Sequence, residues 1–206
     1  MKKIFLFVSM IHLISFAQSS SETQFSQDEN QSIFSKNQKI ATDGVEIYDS
    51  NLEMKAHKRL GIGLMVGGAT GLLGLNLEIN VEPSEAAVFG LGTGPSYNSF
   101  SFEWKHNFIG NYLSPYTKVG YSKWFNAGGS SVSASDSDIL RRVLNDEEIK
   151  KNRFGADFIV GSAGLEYNQL EGELSGVNLF GELVMMAEIK RTVFIPSAAI
   201  GINYYY

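Results

Sequence analysis

Leu73-Gly74-Leu75-Asn76-Leu77-Glu78-Ile79-Asn80-Val81 is the stretch on which the fold turns. Each odd-numbered residue is a large aliphatic one, and each even-numbered residue is a glycine, an amide or a carboxylate. That two-residue period belongs to an extended strand, whose side chains point alternately to opposite faces. One face is wholly apolar and the other carries charge, so the two must meet different media.

The pattern continues on both sides. Upstream, Leu60, Ile62, Leu64 and Val66 alternate with Gly61, Gly63, Met65 and Gly67, and a hairpin through Gly68 to Gly71 leads into the decisive strand. Downstream, Phe100, Phe102 and Trp104 oppose Ser99, Ser101, Glu103 and Lys105, while Val177, Leu179, Leu183 and Met185 oppose Asn178, Phe180 and Glu182. Eight such segments can be placed, at about 58–67, 72–81, 85–93, 98–107, 112–125, 154–168, 175–188 and 191–206.

A water-soluble sandwich also alternates, so the fold depends on which face meets the surroundings. A barrel in lipid turns large apolar residues outward and small or polar ones inward. Several segments have the nine to eleven or more residues that a tilted strand needs to cross hydrocarbon, and an even count returns both barrel ends to the same side. A charge on the lipid face would cost about 2 to 4 kcal/mol at the midplane, and the apolar faces quoted above carry none. The expected architecture is an all-β, closed, antiparallel up-and-down barrel of eight transmembrane strands. Its inward set includes Arg59, Glu78, Glu103, Lys105, Lys118, Glu166 and Glu182, whose opposite charges can pair across the lumen.

The carboxyl terminus adds the most specific mark. Ala198, Ile200, Ile202, Tyr204 and the final Tyr206 alternate with Ala199, Gly201, Asn203 and Tyr205. Gly201 followed by Tyr204 and Tyr206 resembles the terminal signal by which outer-membrane barrels are recognised for insertion, with Ala199 standing where a polar residue is usual. From Arg59 to Tyr206 the chain resembles the OmpA/OmpX-like family of small eight-stranded outer-membrane barrels. Leu113-Ser114-Pro115-Tyr116 with Gly120-Tyr121, and Gly161-Ser162-Ala163-Gly164-Leu165-Glu166-Tyr167, look like that family's fifth and sixth strands. The resemblance implies a place in a Gram-negative outer membrane. The partners it implies are membrane lipid and lipopolysaccharide, and the barrel assembly machinery during insertion. Nothing resembles the peptidoglycan-binding domain that some relatives carry.

At the other terminus, Lys2 and Lys3 precede an apolar run from Ile4 to Phe16, and Ser15 and Ala17 are small residues suited to cleavage before Gln18. Residues 1–17 therefore read as a secretory signal, too short to span a bilayer comfortably. Residues 18–57 turn to Ser, Gln, Asn, Asp, Glu and Lys and read as a polar, flexible periplasmic segment ahead of a barrel at 58–206. Within that segment, Ile33, Phe34 and Ile40 could share a short helical face and Val45 to Tyr48 a short strand, neither long enough to carry weight. The chain has no cysteine, which removes disulfides, thiolate metal sites and thiol nucleophiles together. A net charge of −5 gives no reason to expect nucleic acid.

One loop is long, at about 126–153. Asp136 or Ser137 could cap a helix holding Ile139, Leu140, Val143, Leu144 and Ile149, either a surface that binds a partner outside the cell or a lid folded over the barrel mouth.

Three rival readings compete. Gly63, Gly67 and Gly71 recur at the four-residue spacing of packed membrane helices, but a helix over Leu60 to Leu77 leaves the strand period and terminal tyrosines unexplained. An enzyme that modifies lipid would need a histidine beside a serine and an acid. After signal removal only His57 and His106 remain, and His106 reads more simply as a rim residue in an aromatic girdle. A small-solute channel is the third rival. Eight strands leave room only for side chains, and Tyr116, Phe180 and Tyr205 would obstruct the bore. The expectation is a barrel without catalysis, cofactor or metal, in a structural or surface-interaction role.

Overall fold

The computed structural model describes residues 46–127, 138–144 and 154–206. Eight strands run in chain order: β1 Leu60–Gly67, β2 Leu73–Asn80, β3 Glu85–Gly94, β4 Tyr97–Asn107, β5 Leu113–Asn126, β6 Gly155–Asn168, β7 Val177–Glu188 and β8 Val193–Tyr205. Each pairs antiparallel with its sequence neighbour, and β8 returns to β1 through Gly61↔Tyr205 to Gly67↔Ala199, closing the barrel. All eight start and end within two residues of the segments read from the sequence. The proposed helix from Leu60 to Leu77 is instead β1, a tight turn at Gly68–Thr70 and β2. Among the described residues no helix is long and apolar enough to cross a membrane.

Side-chain directions settle the medium. Leu73, Leu75 and Ile200 are 56%, 55% and 67% exposed, whereas Glu78, Glu103 and Lys105 are 2%, 2% and 3% exposed. Burying one leucine side chain is worth about 1.5 to 3 kcal/mol, so a full girdle of outward aliphatic residues with charges inside would be untenable in water. In hydrocarbon the same arrangement is favourable. On β5 the outward residues from Leu113 to Tyr121 form one strip of this girdle. Eight residue steps at roughly 3.3 Å, reduced by strand tilt, give a height of roughly 20 Å. Aromatic residues mark its margins: Trp104, Tyr167, Tyr204 and Tyr206 toward the termini, and Phe100, Tyr121 and Phe125 toward the long loop. The architecture is that of a transmembrane β-barrel.

Two short helices lie inside the ends of the barrel. Helix α1 (Asn51–His57) lies at the termini end. Its N-cap is Ser50, whose hydroxyl accepts from the Glu53 amide at 3.2 Å, while the Glu53 carboxylate reaches back to the Asp49 amide at 2.7 Å. Asn51 ties the helix to the β4–β5 turn, donating to the Phe108 carbonyl at 3.0 Å and accepting from the Gly110 amide at 2.9 Å. Ile47 bridges Glu171 in the β6–β7 turn, and the Tyr48 amide donates to the Leu170 carbonyl at 3.0 Å. Residues 46–57, expected to be the end of a flexible tail, are therefore folded onto the barrel. Hydrogen bonds to two separate turns and a buried Met54 supply the order that local propensity could not. Residues 1–45, including the signal-like run and Ile33, Phe34, Ile40 and Val45, lie outside the described residues.

At the opposite end is α2 (Asp138–Val143), in the long loop. Leu140 and Val143 are 1% and 2% exposed and pack on Trp124, Phe154 and Phe158, with Ile139 and Leu144 alongside. The apolar face offered as a partner-binding surface is thus turned into the barrel mouth, because the inward residues at that end are themselves apolar. Arg141 and Arg142 occupy the outer face. Ile149, Asp136 and Ser137 lie outside the described residues.

Candidate functional site

The inward residues of the strands divide the lumen into two zones. The one nearer the termini holds a buried network of ions. Lys105, projecting from β4, sits between two carboxylates, 3.0 Å from Glu78 Oε2 and 2.8 Å from Glu166 Oε2. Its ammonium also lies 4.4 Å from the centre of the Tyr116 ring. A second group forms beside it. Lys118 Nζ is 2.9 Å from Glu182 Oε2 and 3.3 Å from Glu103 Oε2, and the Tyr116 hydroxyl donates to Glu182 at 2.9 Å. The Glu103 contact is an ion pair without hydrogen-bond geometry, and that oxygen accepts no hydrogen bond.

The sequence did not anticipate the fourth member of the first group. Lys55, on α1, reaches down into the lumen and is fully buried. Its ammonium donates to Glu166 Oε1 and Asn107 Oδ1, both at 2.7 Å, and to Glu78 Oε1 at 3.4 Å, with the Tyr205 ring 5.3 Å away. Burial pushes its pKa down, and the Glu166 carboxylate opposes that shift. Two lysines thus meet two glutamates, and Lys55 supplies a second amine where the strands alone bring only Lys105 to Glu78 and Glu166. The signal that could have found the helix is Ser50-Asn51-Leu52-Glu53, a capping box.

Arg59 does not join the network. It is half-exposed at the barrel's end, and its Nε donates to the Ala56 carbonyl at 3.1 Å. Its place, one residue before β1, brings the guanidinium to the C-terminal end of α1, where free carbonyls accept it.

The zone nearer the long loop is mainly apolar, with one buried carboxylate, Glu188, at its edge, 3.7 Å from Arg191 Nη1. Trp124, Phe158, Val160, Met186 and Ile195 fill it, and the stacked rings of Tyr97 and Trp124, 4.4 Å apart, line its mouth. The β1–β2 turn folds inward rather than away from the barrel. Ala69 and Thr70 are 1% exposed. The Ala69 carbonyl accepts from Ser122 at 2.7 Å and Trp124 Nε1 at 2.8 Å, and the Thr70 carbonyl accepts from Ser99 at 2.6 Å. Gly92 makes room for this turn, since a Cβ there would strike the Thr70 carbonyl oxygen. Tyr116, Phe180 and Tyr205 all point inward, and the lumen is packed from both ends.

The residues of the terminal signal lie across the β1–β8 seam. Tyr204 and Tyr206 are outward, their rings 6.4 Å apart, and Gly201 lies under the Phe180 ring on the inner side. His106 is at the rim, with Nδ1 2.5 Å from Glu85 Oε1 and its ring edge-on to Phe108 at 4.7 Å, where an aromatic girdle would put it. Trp104 Nε1 donates to the other Glu85 oxygen at 2.5 Å. Among the described residues, no group of three or more His, Asp or Glu side chains is placed to hold a metal ion.

No family model matches the chain, and no curated protein matches it in sequence. Among solved structures it is similar to the N-terminal β-barrel domain of Pseudomonas aeruginosa OprF, at 15% identity and a TM-score of 0.47, covering 70% of this chain and 96% of that one. It is also similar to the Yersinia pestis outer membrane protein Ail, at 11% identity and a TM-score of 0.40, covering 71% of this chain and 98% of that one.

Proposed function

We propose that the protein is a closed, non-catalytic barrel of the Gram-negative outer membrane with a structural or surface-interaction role. The termini and α1 face the periplasm, the long loop faces outward, and Gly201, Tyr204 and Tyr206 present the insertion signal to the assembly machinery. One observation carries this reading: apolar residues cover the outer wall while packed side chains occupy the lumen from α1 to α2. Side chains of the described residues filling the bore favour this role over a channel. Outer-membrane lipid and lipopolysaccharide are its partners along the wall.

Membrane fractionation, combined with planar-bilayer recording of the purified full chain, tests the proposal. The expected result is an outer-membrane protein that migrates differently in electrophoresis before and after heating and opens no stable pore. Large, persistent conductance steps would overturn the closed-barrel role, and recovery in the soluble fraction would overturn the location.

A further inference from the structure

Among the described residues, Lys55 is the one member of the lumen's ion network that does not come from a strand. The strands build its place without it. Glu78 on β2, Asn107 on β4 and Glu166 on β6 each aim an oxygen at one point, and the Tyr205 ring on β8 stands beside it. Lys105, the barrel's own cation, takes Oε2 of both carboxylates, while Glu166 Oε1 faces Lys55. Glu78 Oε1 is shared, 3.3 Å from Lys105 Nζ and 3.4 Å from Lys55 Nζ. The Asn107 amide nitrogen, buried at the same place, has no acceptor among the described residues, so α1 does not exhaust what the site offers.

The geometry selects the chemistry of the occupant. Three acceptors meet the three N–H donors of a primary ammonium, and an aromatic face adds cation–π attraction. A quaternary ammonium has no donor to offer, and an anion would face two carboxylates. The hold of α1 on the barrel is otherwise peripheral. Asn51 bonds to the β4–β5 turn, and Met54 packs with Tyr48, Leu170 and Tyr205. A helix of seven residues has little stability of its own, so α1 can come away from a pocket that stays formed. Exposed Glu82, Glu171 and Glu173 at the same end of the barrel draw cations toward that mouth.

We propose that the pocket beneath α1 binds an external aliphatic primary amine, and that α1 closes it with Lys55 as a built-in occupant. The ligand's ammonium takes the place of Lys55 Nζ between Glu166, Asn107 and Glu78, and its carbon chain lies where the Lys55 methylenes lay. Lys55 thereby sets the threshold, because an amine binds only as far as it outcompetes a group tethered at high effective concentration. The pocket belongs to the lumen, so amine binding does not depend on which side of a membrane the termini face.

Hydrogen exchange of the full chain in neutral detergent is followed with n-propylamine, 1-propanol and tetramethylammonium, at neutral pH and constant ionic strength. The amine is the piece that Lys55→Ala removes. In that variant α1 is expected to exchange about 5- to 150-fold faster than in wild type, and n-propylamine to restore most of the protection. In wild type the same amine is expected to act in the opposite direction, loosening α1 while the strands keep their protection. Its effect should be larger in Asn51→Ala, whose helix is less firmly tied to the β4–β5 turn. Neither 1-propanol nor tetramethylammonium is expected to do either. Heat-dependent electrophoretic mobility reports whether each variant is folded, and should Lys55→Ala fail to fold, wild type and Asn51→Ala carry the test. Restoration of Lys55→Ala by 1-propanol or tetramethylammonium as fully as by the amine, or by none of the three, overturns the proposal. So does an amine that restores Lys55→Ala but leaves α1 untouched in wild type and Asn51→Ala, since Lys55 is then a permanent structural group.

Discussion

The two halves of the lumen fill the same eight-stranded bore with opposite chemistry. Toward the termini, Lys55, Lys105 and Lys118 are buried against Glu78, Glu103, Glu166 and Glu182. Toward the long loop, Trp124, Phe158, Met186 and Ile195 are buried against one another. Charged groups are worth little as a set but cost heavily once a partner is missing, because the survivor is left desolvated. Apolar groups lose roughly in proportion to what is removed. The charged half is thus an all-or-none assembly that specifies one arrangement, and the apolar half is a graded seal.

The sharpest way to break the contrast is Lys105→Met, which strands Glu78 and Glu166 with Lys55 as their remaining cation. A loss of about 3 to 5 kcal/mol is expected in urea unfolding of the detergent-solubilised barrel. Adding Glu166→Gln should recover part of it, an energetic coupling that has no counterpart in the apolar half. Met186→Ala, fully buried opposite Val160, should cost about 2 to 5 kcal/mol by leaving a cavity, and pairing it with any lumen charge change should be additive. Lys55→Met should cost less than Lys105→Met, about 1 to 3 kcal/mol, because α1 can undock and admit water to Glu166. Hydrogen exchange should show α1 losing protection while the strands keep theirs. Ser50→Ala removes the N-cap of α1 and should cost about 1 kcal/mol, seen as faster exchange confined to residues 51–57. If Lys55→Met matched Lys105→Met in size and opened the strands as well, α1 would be part of the barrel's core rather than a separable cork.

How much of this was legible beforehand depends on the range of the signal. The alternation of Leu73 to Val81 is local, and it marked the strand and both its faces; the charges Glu78, Glu103, Lys105, Lys118, Glu166 and Glu182 follow from the same parity. Arg59 obeyed that parity on paper and failed because it precedes the first paired residue of β1, where the ladder no longer dictates direction. Lys55 was invisible for a different reason. Its burial depends on Glu78, Asn107 and Glu166, contributed by three strands far apart in the chain. The inward fold of Gly68–Thr70 was hidden likewise, since the hairpin is evident from its glycines but its direction is fixed by Ser99, Ser122 and Trp124 across the bore.

By itself the amino-acid order determined strand count, strand register parity and the medium that each face meets, because a period of two is imposed by backbone geometry one residue at a time. Only the closed tertiary structure decided what plugs the barrel: α1 with its lysine at one end, and the inturned hairpin with α2 at the other. Those choices depend on charge balance and free volume inside a lumen that does not exist until β8 has met β1.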